Sequence, residues 1–249
     1  MLLAIDTSAG TSVAVVDRER GVLAERGEAD TRRHAEVIGE LIAECLREAD
    51  VPVTALSGVA VGMGPGPFTG LRVGIAAAQA FALGAGKPVV RIVSHDAIAF
   101  ERYAAGDSGP LLVVTDARRR EVYWSTYSGA DELGLPVRAS GPGLARPENL
   151  ATEVPGFESY RGAGDAASLP TGTAARFSES FGTGAVSPGS ATAAHSFPEL
   201  VEGNLVSAAS LGLLAEAMYL HGRPFAGKDA LYLRSPDVTL SAGPKRVTG

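Results

Sequence analysis

Cysteine is almost absent from this 249-residue sequence, in which Cys45 is the only example. A single thiol excludes an internal disulfide and every zinc site built on several cysteines. Histidine is also scarce, because His34, His95, His195 and His221 are scattered and no two have the i, i+4 spacing of a metal-binding pair on a helix. The sequence therefore predicts that this chain holds no metal of its own.

Excess positive charge and long apolar runs are missing as well. The formal charge is −6, which argues against a protein that wraps nucleic acid unaided, because phosphate neutralisation requires a basic surface. No apolar run reaches the roughly 20 residues that span a bilayer. The start, MLLAIDTSAG, has no basic segment and meets an acid at Asp6, so it is predicted to be a buried strand and not a signal peptide. We expect a cytoplasmic protein that makes no membrane contact.

What is present is an alternation of predicted strands and helices. Apolar runs at Leu2–Asp6, Thr11–Asp17 and Gly21–Ala29 are separated by tight polar turns and predict an antiparallel meander. The further predicted elements are a helix at Arg33–Ala49, a strand at Leu56–Gly64, a helix ending near Gly84 or Gly86, a strand at Pro88–Ser94, a short helix from His95 and a last helix at Leu205–His221.

The strand pattern recurs in the second half of the chain. The stretch LLVVTDARRREVYWSTYSG, Leu111–Gly129, has the plan of LLAIDTSAGTSVAVVD, with Asp116 in the place of Asp6. This predicts two similar α/β halves. The expected division is 1–105 for the first subdomain, 106–204 for a smaller second one, and 205–249 for a terminal helix and tail, the helix packing back on the first subdomain. Glycines and prolines, as in SGPG, predict loops and short elements over 140–205.

The stretch GMGPGPFTGLRVG, Gly62–Gly74, is a glycine-rich turn between a predicted strand and a predicted helix. Such turns often bind phosphate, but a P-loop requires lysine after its last glycine, and Leu71 follows Gly70 here. Two prolines also remove amide donors that a phosphate would use. The loop is therefore not predicted to form a nucleotide cradle by itself.

The helix after this loop carries Gly70, Gly74 and Ala78 at a spacing of four. Glycine inside a helix costs about 1 kcal/mol relative to alanine. Close packing against another helix is one explanation for glycine at these two positions. The strip predicts a shallow groove that seats another helix. Two partners remain open, the chain's own Arg33–Ala49 helix and a helix of another protein.

Asp6, Thr7 and Ser8 end the first strand and begin a hydroxyl-rich turn. In actin, Hsp70 and sugar kinases an acid in this place helps to bind phosphate and magnesium. This chain has Ser8 where such loops typically have glycine. The alternative is that Asp6 accepts hydrogen bonds from its own turn. Both interpretations remain open.

Three arginines, Arg118–Arg120, form the polar tip after Asp116. They are suited to phosphate or to the acids of a partner, and a solvated turn is the alternative. Tyr123 and Trp124 in the following strand are predicted to be core residues. No GxSxG motif or other nucleophile arrangement accompanies them.

In order along the chain, LAIDTS, RRHAEVIGELI, GVAVGMGPGPFTGLRVGIAAAQAFALGAGKPVV, SHDAIA, DARRREVYW and LYLR resemble the TsaB (YeaZ) family, which helps to make threonylcarbamoyladenosine in transfer RNA. The resemblance covers residues 2–128 and 231–234, with Pro67 where the family usually has serine. It implies an α/β fold of two actin-like (ASKHA, RNase H-like) subdomains, each a mixed sheet with flanking helices.

The resemblance also implies a role. The chain would be a non-catalytic scaffold that binds TsaD in the threonylcarbamoyltransferase complex, with TsaE docking on the pair and tRNA reached indirectly through the complex. ATP and a metal are expected in the partner subunits, and the isolated chain is expected to form a homodimer. The residues expected at the interface are His34, Ile38, Leu41, Ile42, Cys45, Phe68, Gly70, Leu71, Arg72, Gly74, Ile75 and Ala78. The alternative is a stand-alone actin-like ATPase or kinase that uses Asp6 and the Gly62–Gly74 loop.

Overall fold

Two mixed β-sheets with flanking helices make up the part of the chain that the structure, a computed structural model, describes: residues 1–159, 161–164 and 205–234. The first sheet has the order β3-β2-β1-β4-β5 and the second the order β8-β7-β6-β9. The strands are β1 (Leu2–Asp6), β2 (Thr11–Asp17), β3 (Gly21–Glu28), β4 (Gly58–Gly62), β5 (Val89–Ile92), β6 (Leu111–Asp116), β7 (Val122–Ala130), β8 (Pro136–Ala145) and β9 (Arg161–Gly164). The helices are α1 (His34–Glu48), α2 (Phe68–Ala85), α3 (Ser94–Ala104), α4 (Leu150–Glu153) and α5 (Ala208–Leu220), with short 3₁₀ turns at Val53–Ala55, Pro147–Asn149 and Phe157–Ser159.

The two sheets share one plan. β1 pairs antiparallel with β2 and parallel with β4, and β6 pairs antiparallel with β7 and parallel with β9. Asp116 ends β6 as Asp6 ends β1. The predicted α/β class and the predicted repeat of two actin-like halves are confirmed.

The first sheet is buried on both faces because its strands alternate between two cores. Leu3 and Ile5 of β1 point to the core shared with α1 and α2. Leu2 and Ala4 point to the opposite core, which α3 and α5 cover. The chain therefore places α1 and α2 together on one side of the sheet, and the terminal helix α5 packs on its other side.

The helix α2 ends where the sequence predicts. Gly86 takes the left-handed conformation at φ 64° and closes the last turn with its backbone N–H. This helix is also long and apolar enough to cross a membrane, with a hydropathy of 1.3. Its inner side packs against β4 and β1, as the side of a core helix does.

The stretch SGPG, which the sequence placed among loops and short elements, lies within the strand β8, which runs from Pro136 to Ala145. Gly141 adopts φ 86°, a conformation open to glycine, and Gly143 lies under the Trp124 ring, where any Cβ would overlap the indole. The glycines therefore let β8 pass a large side chain of β7 while still pairing with it. The remaining predictions for 165–204, and for the tail beyond Leu240, concern residues outside the described ranges.

Helix α3 connects the first sheet to the second through His95, which is fully buried. Its Nδ1 lies 2.8 Å from Ser125 Oγ and its Nε2 lies 2.9 Å from Thr115 Oγ1. Burial lowers the pKa of His95 to about 3, so the ring is neutral at physiological pH and needs no counter-charge. Both ring nitrogens are satisfied by hydroxyls of the second sheet, which fixes the helix against it.

Candidate functional site

The Asp6 carboxylate is enclosed by its own turn and by α3. Asp6 is 1% exposed, and its Oδ1 accepts hydrogen bonds from the Ser8 N–H at 2.7 Å and the Ser8 hydroxyl at 2.6 Å. Its Oδ2 accepts a 2.6 Å hydrogen bond from the Ser94 hydroxyl. Burial raises the pKa of Asp6, and the bonds from Ser8 and Ser94 act in the opposite direction. The interpretation that Asp6 accepts hydrogen bonds from its own turn is confirmed.

The glycine-rich loop lies directly on this turn. A Cβ at Gly62 would overlap Asp6 Oδ2, and a Cβ at Gly66 would lie 2.8 Å from the Cα and carbonyl oxygen of Ser8. The glycines allow two segments of the same chain to touch, and their contact fills the place between Ser8 and the loop that a phosphate would need. The loop is a packing element in this structure.

The Gly70, Gly74 and Ala78 strip also faces inward, which corrects the expectation of a groove open to a foreign helix. A Cβ at Gly70 would lie 2.7 Å from the Thr7 carbonyl oxygen and 3.1 Å from His34 Nε2, and one at Gly74 would overlap Thr7 Oγ1. Thr7 Oγ1 in turn donates a 2.8 Å hydrogen bond to the Gly70 carbonyl. Ala78 has no exposed surface. The physical reason is the β1–β2 turn, which occupies the strip together with the start of α1.

The other residues predicted for the interface divide by their exposure. Those buried in the chain itself are His34, Ile38, Ile42, Cys45 and Leu71. Leu41, Phe68 and Ile75 are partly buried, and Arg72 is exposed.

Two of the buried ones have evident internal partners. His34 Nδ1 lies 2.7 Å from Thr11 Oγ1, and Cys45 Sγ lies 3.2 Å from the Val13 carbonyl oxygen. Burial raises the pKa of the Cys45 thiol to about 11, so this thiol is not a ready nucleophile.

A different set of residues, all of them small except Leu83, faces outward on the same two helices, and we call it the outer helix face. Its members are Ala35, Gly39 and Ala43 of α1 and Ala76, Ala80, Leu83 and Gly84 of α2, all of them exposed. Leu83 is 84% exposed, and a Cβ at Gly39 or Gly84 would meet nothing within 4 Å. Because α1 and α2 pack side by side, the face spans both helices. Sequence reasoning missed it, although Ala76, Ala80 and Gly84 have the same spacing of four.

Within the described ranges, no three His, Cys, Asp or Glu side chains come together as ligands for a metal ion. The arrangement around Asp6 supplies packing and hydrogen bonds, and the outer helix face supplies an exposed surface of small side chains in which Leu83 is the one large apolar member. Of the two, only the second is open to another molecule.

Comparison with known proteins gives a consistent result. The family model described as TsaD, tRNA N6-adenosine threonylcarbamoyltransferase, matches residues 11–209. The chain is 32% identical over 147 residues to the tRNA threonylcarbamoyladenosine biosynthesis protein TsaB of Escherichia coli, covering 59% of this chain and 63% of that protein. An uncharacterized Mycobacterium tuberculosis protein is 42% identical over 161 residues, covering 60% of this chain and 74% of its own length. A Pseudomonas aeruginosa crystal structure, described as an uncharacterized protein with similarity to peptidase YeaZ, has a TM-score of 0.68 at 26% identity and covers 94% of this chain and 99% of that one.

Proposed function

This chain belongs to the TsaB (YeaZ) family, and from that premise we propose that it serves threonylcarbamoyladenosine biosynthesis in tRNA as a non-catalytic subunit. Its task in this proposal is to bind and stabilise TsaD, which would perform the transfer to N6 of adenosine 37. ATP and any metal would be bound by the partner subunits.

The single observation that carries the proposal is the enclosure of Asp6. In an actin-like enzyme this acid would have to face a phosphate or its magnesium ion. Here both carboxylate oxygens accept hydrogen bonds from Ser8 and Ser94. The Gly62 backbone lies against Asp6 Oδ2, and the Gly66 backbone lies against Ser8. No described feature favours the alternative of a stand-alone ATPase or kinase.

The outer helix face supports a docking role. Small side chains allow helix axes to approach closely, so a facing helix gains dispersion contacts along its length. Leu83 extends from this flat surface and is suited to a pocket on the partner. We therefore propose that TsaD packs two of its helices across α1 and α2, forming a bundle.

The same face supports a proposal about the isolated chain. Without TsaD, an exposed apolar surface of this kind favours pairing with a second copy of the chain, so the isolated protein is proposed to be a homodimer. In the complex TsaE would dock on the pair of subunits, and tRNA would reach this chain only through that complex.

Two alanine-to-arginine substitutions, one on the outer helix face and a control elsewhere on the surface, test the proposal. Ala80→Arg places a charged side chain in the middle of the outer helix face, whereas Ala104→Arg makes the same change on the exposed end of α3. Each variant is mixed with the TsaD of the same organism and analysed by size-exclusion chromatography, with circular dichroism confirming the fold. We expect Ala80→Arg alone to abolish co-elution and to convert the isolated homodimer to a monomer. Unchanged co-elution of Ala80→Arg would contradict the interface.

A further inference from the structure

Arg72 stands in line with the outer helix face. It precedes Ala76 and Ala80 at the spacing of four that brings side chains onto one side of a helix, and all three residues are exposed. It is also the only charged residue of α2. A single cation on an otherwise uncharged helix therefore lies about 6 Å along the helix axis from Ala76, the nearest member of the face.

Two aromatic rings hold the guanidinium group of this residue. Its Cζ atom lies 3.8 Å from the centroid of the Phe68 ring and 5.9 Å from that of the Tyr232 ring, within the range of a cation–π attraction. The two rings pack on each other with their centroids 4.8 Å apart. The Leu231 N–H donates a 2.8 Å hydrogen bond to the Met63 carbonyl, which anchors the segment that carries Tyr232. The Arg72 side chain is thus restrained before any partner binds, and its immobilisation on binding costs less entropy.

The contact with Phe68 uses only the flat side of the guanidinium group. A separation of 3.8 Å between Cζ and the ring centroid corresponds to stacking, and the N–H donors lie in the guanidinium plane and point away from its edge. No hydrogen bond or ion pair joins Arg72 to another residue within the described ranges. Its N–H donors are therefore available to an acceptor that another molecule supplies.

We propose that Arg72 forms a paired-hydrogen-bond ion pair with an Asp or Glu side chain of TsaD when TsaD packs across the outer helix face. This inference rests on the proposed function. The edge of a guanidinium group matches the two oxygens of a carboxylate, and arginine is enriched among the residues that dominate binding at protein interfaces.

The charge of this site favours a carboxylate over a nucleic acid. One carboxylate balances one guanidinium group, whereas the successive phosphates of a nucleic acid are neutralised by several cations, and α2 offers no second one. The ion pair lies at one end of the contact between helices, and it therefore fixes the position of the TsaD helices along α2.

The experiment measures the affinity of the chain for immobilised TsaD by biolayer interferometry over a series of salt concentrations, with the chain diluted until it is monomeric and its fold checked by circular dichroism. We expect Arg72→Gln to weaken binding about tenfold or more and to make the affinity less sensitive to salt. Arg72→Lys keeps the charge but loses the paired hydrogen bonds, so its affinity should fall between the two. The matched control is Arg18→Gln, which removes an exposed arginine from the β2–β3 turn and should equal the parent at every salt concentration.

A double-mutant cycle tests the part played by Phe68. Phe68→Leu keeps an apolar side chain and removes the ring beneath the guanidinium group. It should weaken binding about threefold when Arg72 is present and much less in the Arg72→Gln background. Equal effects in both backgrounds would show that Phe68 does not act through Arg72, and would overturn this part of the inference.

The outcomes separate this inference from the proposed function. If the parent binds TsaD and Arg72→Gln keeps both its affinity and its salt dependence, the ion pair is wrong while the docking of TsaD stands. Arg72→Leu binding as tightly as the parent would also overturn the ion pair, because apolar contact would then account for the residue. A loss in Arg72→Gln that requires magnesium-ATP would identify a nucleotide phosphate as the acceptor and overturn the carboxylate. If the parent itself does not bind TsaD, the proposed function fails and the ion pair with it.

Discussion

Gly74 of α2 lies directly against Thr7 of the β1–β2 turn, so that an added Cβ would overlap Thr7 Oγ1. This contact joins the helix to the first strand of the sheet, and it shows which side of α2 belongs to the core. It also determines how the glycines of this helix should respond to substitution.

Gly74→Ala is predicted to lower the free energy of unfolding by about 1–3 kcal/mol, because the added methyl group overpacks a filled site. Gly39→Ala is the matched control, since a Cβ there meets nothing within 4 Å. Alanine favours the helix over glycine, so this variant should gain roughly 0.5–1 kcal/mol. Urea denaturation followed by circular dichroism measures both. Equal stability of Gly74→Ala and the parent would show that the strip is not packed as described.

The sequence alone could not determine which side of α2 faces the sheet. Its apolar residues surround much of the helix, so two strips of small residues have the same spacing of four, and periodicity does not tell which one faces the sheet. The choice is made by Thr7 and His34, which are distant in sequence and meet the Gly70–Gly74 side. By contrast, the strands β1 and β2 and the end of α2 were predictable, because short apolar runs between polar turns and a glycine at a helix end are local signals.

The strand β8 was missed for a related reason. Glycine and proline ordinarily mark a loop. The reasons for the two glycines appear only in the fold, because Gly143 lies under the Trp124 ring and Gly141 adopts a positive φ beside the Trp124 backbone. At the candidate site, the hydrogen bonds from Ser8 to Asp6 follow from local turn chemistry, whereas the bond from Ser94 depends on the fold.

Acid should destabilise the protein through His95. Above pH 6.5 the His95 ring is neutral in both the folded and the unfolded state. Below pH 6.5 the ring binds a proton in the unfolded chain, whereas in the folded chain it stays neutral down to its pKa of about 3. The free energy of unfolding should therefore fall between those limits, by about 1.4 kcal/mol per pH unit from this residue. His34, whose pKa burial also lowers, acts in the same direction.

The variant His95→Gln isolates the larger of these two contributions. Urea denaturation at several pH values should show a shallower loss of stability in the variant than in the parent, together with lower stability at pH 7, where the bridge to Ser125 and Thr115 is weakened. Parallel pH profiles for the two proteins would assign the acid sensitivity to other groups.

The isolated chain should show no binding of magnesium-ATP in titration calorimetry at micromolar concentrations. The reason is that Asp6 is enclosed by Ser8, Ser94 and the glycine-rich loop. Micromolar binding that disappears in Asp6→Ala would instead support a stand-alone ATPase or kinase, and turnover of ATP by the parent would strengthen that conclusion.

Docking of α1 and α2 on TsaD through the outer helix face is the central feature of the proposed function. Hydrogen–deuterium exchange of the chain with and without TsaD tests it directly, provided that the free chain is diluted until it is monomeric. We expect slower exchange on complex formation in His34–Glu48 and Phe68–Ala85 and little change in β7 and β8. Protection confined to the second sheet, with both helices exchanging as in the free chain, would contradict it.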